Sequence, residues 1–395
     1  MQNELTHTKL NLPLKVRNIA YVLIAIGLIL GAIGIVVDFT HAIYNYLLAF
    51  VFILSLAIGA LFLVALEYIV GADWSVPFRR MNEFFSSMLP YLIILVIPLF
   101  FSLHTLYHWT HADAVETDRI LQGKAPYLNE SFFIIRNIAF ILIWSLFYFL
   151  MVRNSRKQDI DADQKHTRVN IKLAAGFIPV FAITVTLASI DWMMSLEPHW
   201  FSTIFGIYFF AGAVVASFAA VTLAGTLLKE KKMLNPKINE EHFHNFGSLL
   251  FTFINFWGYI AFSQYMLIWY ANLPEETFWF LNRWQDGWIY GSVLLIFVHF
   301  VIPYALLLSQ PSKMKISRLK FVSIWILVAH FIDLYWLIMP QMHTESTGIL
   351  YVFIDLAFPV AAVGFIVLIF YLNSRKHNIL PVGDPKLKRG LNFRL

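Results

Sequence analysis

The sequence predicts an all-α integral membrane protein with ten transmembrane helices, and three observations carry that prediction. Of its 395 residues, 59% are hydrophobic and 13% charged, with a mean hydropathy of +0.67, outside the range of a water-soluble globular chain. Ten apolar stretches are long enough to cross a hydrocarbon core about 30 Å thick, and the short alternating segments of a transmembrane β-barrel are absent. Of the 29 Lys and Arg, 25 fall in or at the rim of alternate connections on one side, three on the other, and one inside a helix. The positive-inside rule then assigns both termini to the cytoplasm.

The first stretch, 19 to 37, follows Lys9, Lys15 and Arg17 and so resembles the opening of a signal peptide. It continues through about 19 apolar residues with no A-x-A-like cleavage site, which reads as a retained helix. Helix two, 43 to 69, carries Glu67 at its cytoplasmic end, as a headgroup-depth acid or the start of a proton route. Helix three, 84 to 107, has His104 near its external end. His104, His108 and His111 follow helical spacing, but no carboxylate or thiol is fixed beside them, so they read as interfacial histidines and no metal site is expected.

Helix four, 132 to 152, holds Arg136 about one turn below the external surface. Helix five, 173 to 194, holds Asp191 near its external end, before the turn marked by Pro198 and Trp200. Helix six, 201 to 228, offers Ser217, Thr222 and Thr226, expected to bond their own backbone; helix seven spans 246 to 270. Helix eight, 287 to 309, has His299 near its middle, and helix nine, 319 to 340, has His330 and Asp333 there. Helix ten, 349 to 372, carries Asp355 in its external third.

Two patterns organise these helices. Ile190-Asp191 precedes Pro198 as Ile332-Asp333 precedes Pro340, with seven residues from Asp to Pro in both; "FSSML" from Phe85 likewise matches "FGSLL" from Phe246. A parallel repeat follows, two related four-helix bundles (helices 2–5 and 6–9) with helices 1 and 10 peripheral. The corresponding segments are a cytoplasmic lead 1–18, helix one 19–42, the bundles 43–200 and 201–345, helix ten 346–372 and a basic cytoplasmic tail 373–395.

Topology also turns positions into depths. His104, Arg136 and Asp191 share an external depth in the first bundle, as an ion pair or as a pocket for a quinone head group or a proton exit. His299, His330 and Asp333 lie at mid-depth in the second. Ionisable groups there are rare and often belong to proton relays, and His and Asp suit such a role because burial and pairing bring their titration near ambient pH. The proton pathway is accordingly expected to comprise His299, His330, Asp333, Asp355 and Glu67.

Several chemistries are excluded. With no Cys, the chain cannot hold an iron–sulfur cluster through thiolates, attach a c-type haem or form a disulfide. Histidines at mismatched depths do not suit a bis-His haem. No phosphate-cradling Gly loop or nucleophile elbow occurs. The basic balance reports topology and lipid headgroup contact, so no nucleic acid is expected.

The stretches "IDWMMSLEPHWFSTIFGIYFFAGA" (190–213) and "FSQYMLIWYANLPEETFWF" (262–280) resemble the membrane subunits of the polysulfide-reductase (NrfD-like) family, and more narrowly the shorter, second quinone-binding type found in bacterial alternative complex III. The resemblance covers about residues 40 to 345. It implies a subunit of a quinol:cytochrome c oxidoreductase in the bacterial inner membrane that has no redox centre of its own and is not catalytic in isolation. Its implied partners are an iron–sulfur subunit, multihaem and monohaem cytochromes c, a second NrfD-like subunit and small membrane subunits. The small molecules implied are a quinone, menaquinone or ubiquinone, and lipids. By position, His104 and Asp191 match the family's external quinol site. Within this reading the chain either forms a quinone pocket or conducts protons; the competing readings are a secondary transporter with parallel repeats and a purely structural anchor.

Overall fold

The computed structural model describes residues 9–285, 287–342 and 349–395, and among these the only β pairing is an isolated bridge between Lys9 and Asn378. Ten helices are long and apolar enough to cross a membrane: α1 (Leu14–Val37), α2 (Phe39–Val70), α3 (Val76–Phe100), α4 (Glu130–Asp161), α5 (Gln164–Trp192), α6 (Phe205–Glu230), α7 (Glu240–Ala271), α8 (Trp288–Leu307), α9 (Ile316–Ile338) and α10 (Ile349–Lys376). The chain is a multi-pass membrane protein. In hydrocarbon only a helix satisfies every backbone N–H and C=O within one segment, so ten apolar runs become ten helices.

Their ends carry recognisable stops. Asp38 and Asn129 cap α2 and α4 by accepting from the N–H of His41 and Phe132, and Asn239 and His242 form a reciprocal capping box on α7. Gly71 ends α2 in the left-handed conformation.

Helix α2 lies innermost, packed against α1, α3, α5, α6, α9 and α10. Helices α2 to α5 pack in a closed circuit, and so do α6 to α9, while α1 and α10 pack chiefly on each other and on α2. Between lipid-soluble helices close van der Waals contact replaces the hydrophobic effect as the driving force. Gly59 shows how close: a Cβ there would lie 2.5 Å from the Ala213 carbonyl of α6. Ser217 on α6 donates to its own Ala213 carbonyl at 2.9 Å and across the seam to Leu56 at 3.2 Å.

Two sequence expectations need correction. Helix three is not continuous through 107. It proceeds as short turns, Arg79–Ser86, Leu89–Tyr91, Leu92–Leu95 and Ile97–Phe100, because Pro90 and Pro98 each lack the N–H that an unbroken helix would bond four residues back. Tyr107 is extended and His108–Thr110 forms a separate 3₁₀ turn, so His104, His108 and His111 do not share one helix face.

The segment after α10 is also more than a basic tail. Residues 377 to 391 fold back under the helices, burying Ile379, Leu380, Leu387 and Leu391. Asp384 pairs with Arg79, Lys386 donates to the Gly71 carbonyl at 2.5 Å, and Arg389 pairs with Asp73 at 3.3 Å. His242 at the start of α7 bonds the Gly390 carbonyl at 2.8 Å.

Candidate functional site

Among the described residues, four polar centres lie within the helices. In the first, Arg136 of α4 grips Asp191 of α5 with two parallel bonds, Nε and Nη2 each 2.8 Å from a carboxylate oxygen. Asn137 donates to Asp191 Oδ2 at 3.1 Å and Tyr127 to Oδ1 at 3.1 Å. Burial pushes the Tyr127 hydroxyl well above its usual range, with the nearby Asp191 charge adding to the effect, so it remains a donor. The guanidinium lies between the rings of Tyr127 and Phe132, 3.9 and 4.4 Å from their centroids. Four donors thus fill the four acceptor positions of one carboxylate, and the ion pair is desolvated and geometrically complete.

His104 does not join this centre. Its side chain is 67% exposed and its Nε2 pairs with Glu130 at 3.1 Å, while its carbonyl accepts from His111. The break in α3 turns it outward. Nearby, His199 bonds Asp118 at 2.5 Å and Lys124 donates to the Pro198 carbonyl, tying the 108–131 connection to the stretch after α5.

The second centre is built by α8 and α9 with α2, α6 and α7 around it. His299, His330 and Asp333 are fully buried, and one ligand-type atom from each lies within 4.8 Å of the others. Asp333 Oδ1 accepts from the Tyr208 hydroxyl of α6, and Oδ2 from the Trp257 indole of α7 at 3.1 Å. Both donors are neutral. His299 stacks on Trp257, ring centroids 3.7 Å apart, and neither of its nitrogens has a hydrogen-bond partner.

His330 Nε2 lies 2.9 Å from Ser55 Oγ of α2, whose own hydrogen is donated to the Phe52 carbonyl at 2.8 Å. With the Ser55 hydrogen on Phe52, His330 donates from Nε2 and its Nδ1 is a lone pair, and that Nδ1 has no hydrogen-bond partner. A Cβ on Gly212 of α6 would lie 3.2 Å from that Nδ1 and 3.7 Å from Asp333 Oδ2. Both atoms thus face one small gap over a residue that has no side chain. His299 reaches this gap from a π-helical segment, Ile296–Val301. Pro303 cannot bond the His299 carbonyl four residues back, and such irregular turns recur at functional sites.

The two other predicted residues lie in separate centres. Asp355 accepts from Asn45 at 2.9 Å and Tyr335 at 2.9 Å and bonds His41 Nε2 at 2.6 Å, joining α10 to α2 and α9. Glu67 pairs with Arg79 at 2.9 Å, and Arg79 reaches on to Tyr68 and to Asp384 of the C-terminal segment. Beside it Arg80 pairs with Glu83 and with Asp159 at 2.8 Å.

Sequence reasoning missed Tyr208, Trp257, Ser55 and Asn137, which complete the first two centres, and Arg79, Arg80 and Arg283, which are almost wholly buried. Arg283 bonds the carbonyls of Trp279, Trp336 and Leu337 at 3.0 to 3.2 Å. Apart from Arg80 with Glu83 and Arg283 with Trp279, the side-chain partners that build these centres come from elsewhere in the chain, where local spacing does not reach. No family model matches the chain, and neither does any curated protein.

Proposed function

We propose that the chain is the proton-conducting membrane subunit, without a redox centre of its own, of a quinol:cytochrome c oxidoreductase of the alternative complex III kind. In this reading α2–α5 and α6–α9 are two related bundles, both termini face the cytoplasm of a bacterial inner membrane, and the redox centres belong to iron–sulfur and cytochrome c partners. One observation carries the proton role: a fully buried carboxylate, Asp333, held only by neutral donors beside the unpartnered nitrogens of His299 and His330.

An anion deep in hydrocarbon without a counter-charge is costly, and a proton held by Asp333 or His330 removes that cost. The two side chains face the same gap, so the proton can pass between them with small movements. From His330 the bond to Ser55 continues the path toward α2. Tyr208, which donates to Asp333, supplies a hydroxyl that both gives and accepts hydrogen bonds. The resemblance of residues 190–213 and 262–280 to NrfD-like subunits supports assigning this pathway to a quinol-oxidising complex.

The same geometry favours proton conduction over a quinone pocket at Arg136 and Asp191. A quinol hydroxyl needs a vacant acceptor, and Asp191 has its four positions filled. Asp333→Asn in the assembled complex is expected to lower the protons translocated per electron while electron transfer to cytochrome c continues. An unchanged stoichiometry in reconstituted vesicles rejects the proposal.

A further inference from the structure

We propose that His299, His330 and Asp333 form a binding site for a divalent transition-metal ion of the zinc class, in the same gap that the proton occupies. The binding rests on geometry alone; only its consequence for conduction rests on the function proposed above.

The donor set is two imidazole nitrogens and one carboxylate oxygen. Zinc and its neighbours accept this combination with three protein ligands and an open fourth position, whereas calcium and magnesium favour all-oxygen shells. The lone pairs are available. His330 Nδ1 has no hydrogen-bond partner and offers its lone pair when Nε2 donates to Ser55, and neutral His299 has a lone pair on one of its two unpartnered nitrogens. Asp333 retains acceptor capacity beyond the single bond to each oxygen.

The surroundings have the character of a metal site. Metal-bound carboxylates and imidazoles are themselves oriented by outer hydrogen bonds, and here Tyr208 and Trp257 hold Asp333 while Ser55 holds His330. Stacking on Trp257 fixes the plane of His299. Gly212 brings no side chain against His330 Nδ1 and Asp333 Oδ2, where even a Cβ would be tightly packed. Among the described residues, no ion pair joins a Lys or Arg to any of the three groups, so no paired cation competes with a metal for these ligands. A metal there would occupy the lone pairs that proton transfer needs and would stop conduction.

The test uses the full chain in its native complex, produced with added zinc sulfate, washed with chelator and analysed for metal by mass spectrometry. About one zinc per chain is expected, lost about tenfold or more in His299→Leu and in Asp333→Asn, and retained when His104, His108 and His111 are all replaced by Ala. Zinc that follows those exposed histidines, or none above background, overturns the site. Should either buried variant misfold, X-ray absorption of the wild-type complex decides: two imidazoles with one carboxylate oxygen, and a water in the open position, support the site, and a shell with any other number of imidazoles rejects it. In vesicles, zinc is expected to slow proton movement. Vesicles that conduct no protons even without zinc would reject the proposed function and leave the metal count standing.

Discussion

The Arg136–Asp191 pair shows what a buried charge requires of its neighbours. Removing one partner strands the other in a place with no water, at a cost of about 3–5 kcal/mol, whereas replacing both with apolar residues of similar volume can be nearly neutral. Asp191→Leu alone is therefore expected to lower the melting temperature sharply, and the double replacement Arg136→Met with Asp191→Leu to recover most of it. Thermal unfolding in detergent, arranged as a double-mutant cycle, measures the coupling; independent, additive effects would show that the pair does not act as a unit. The sequence made both residues conspicuous because each is a charge in an apolar run. It could not reveal Asn137 and Tyr127, whose bonds to Asp191 span 54 and 64 residues of chain. His104 was conspicuous for the same reason as Asp191, but its direction depends on where α3 breaks, and sequence depth carries no information about direction.

Elements were more legible than contacts. The ten expected spans all overlap helical segments, the third only in part and with breaks, because a run of about 20 apolar residues has one stable conformation in lipid. The boundaries extend beyond the apolar core, α2 and α4 reaching 32 residues each, since capping and polar last turns lie outside the hydropathic signal. The docking of the basic C-terminal segment is not legible in the sequence because its short helix, Leu387–Leu391, has too few residues for a periodic pattern. Its pH response follows from His377. Burial, aided by Arg156 and Arg80, lowers His377 from 6.5 to about 4, so its neutral form is the one the fold accommodates. The docked state is fully favoured above about pH 6.5 and loses stability as the pH falls toward 4, where the released segment binds the extra proton. Limited proteolysis of residues 377–391 should accelerate between pH 7 and pH 5, and His377→Gln should flatten that dependence. An identical acceleration in the variant would assign the effect to another group.

At the scale of the whole molecule, much of the surface of α7 and α8 is large and apolar, including Tyr259, Phe262, Trp269, Tyr270, Tyr290 and Phe297, which suits lipid and a membrane partner alike. Purification from native membranes separates the readings: iron–sulfur and cytochrome c proteins that co-purify support a respiratory subunit, and a stable single chain that moves a solute in vesicles supports a transporter. The repeat expected from the sequence pairs Asp191 with Asp333, yet one acid faces an arginine and the other faces two neutral donors and two histidines. Such divergence is invisible to sequence periodicity, since a single residue on a facing helix decides it. The Arg79 network has a consequence for synthesis. Asp384 lies 305 residues beyond Arg79, so during translation the arginine's second carboxylate partner arrives only after all ten spans have been made. Until then Glu67 is the arginine's one carboxylate partner among the described residues, and a ribosome that stalls before residue 384 leaves a chain without the contact that ties α3 to the C-terminal segment.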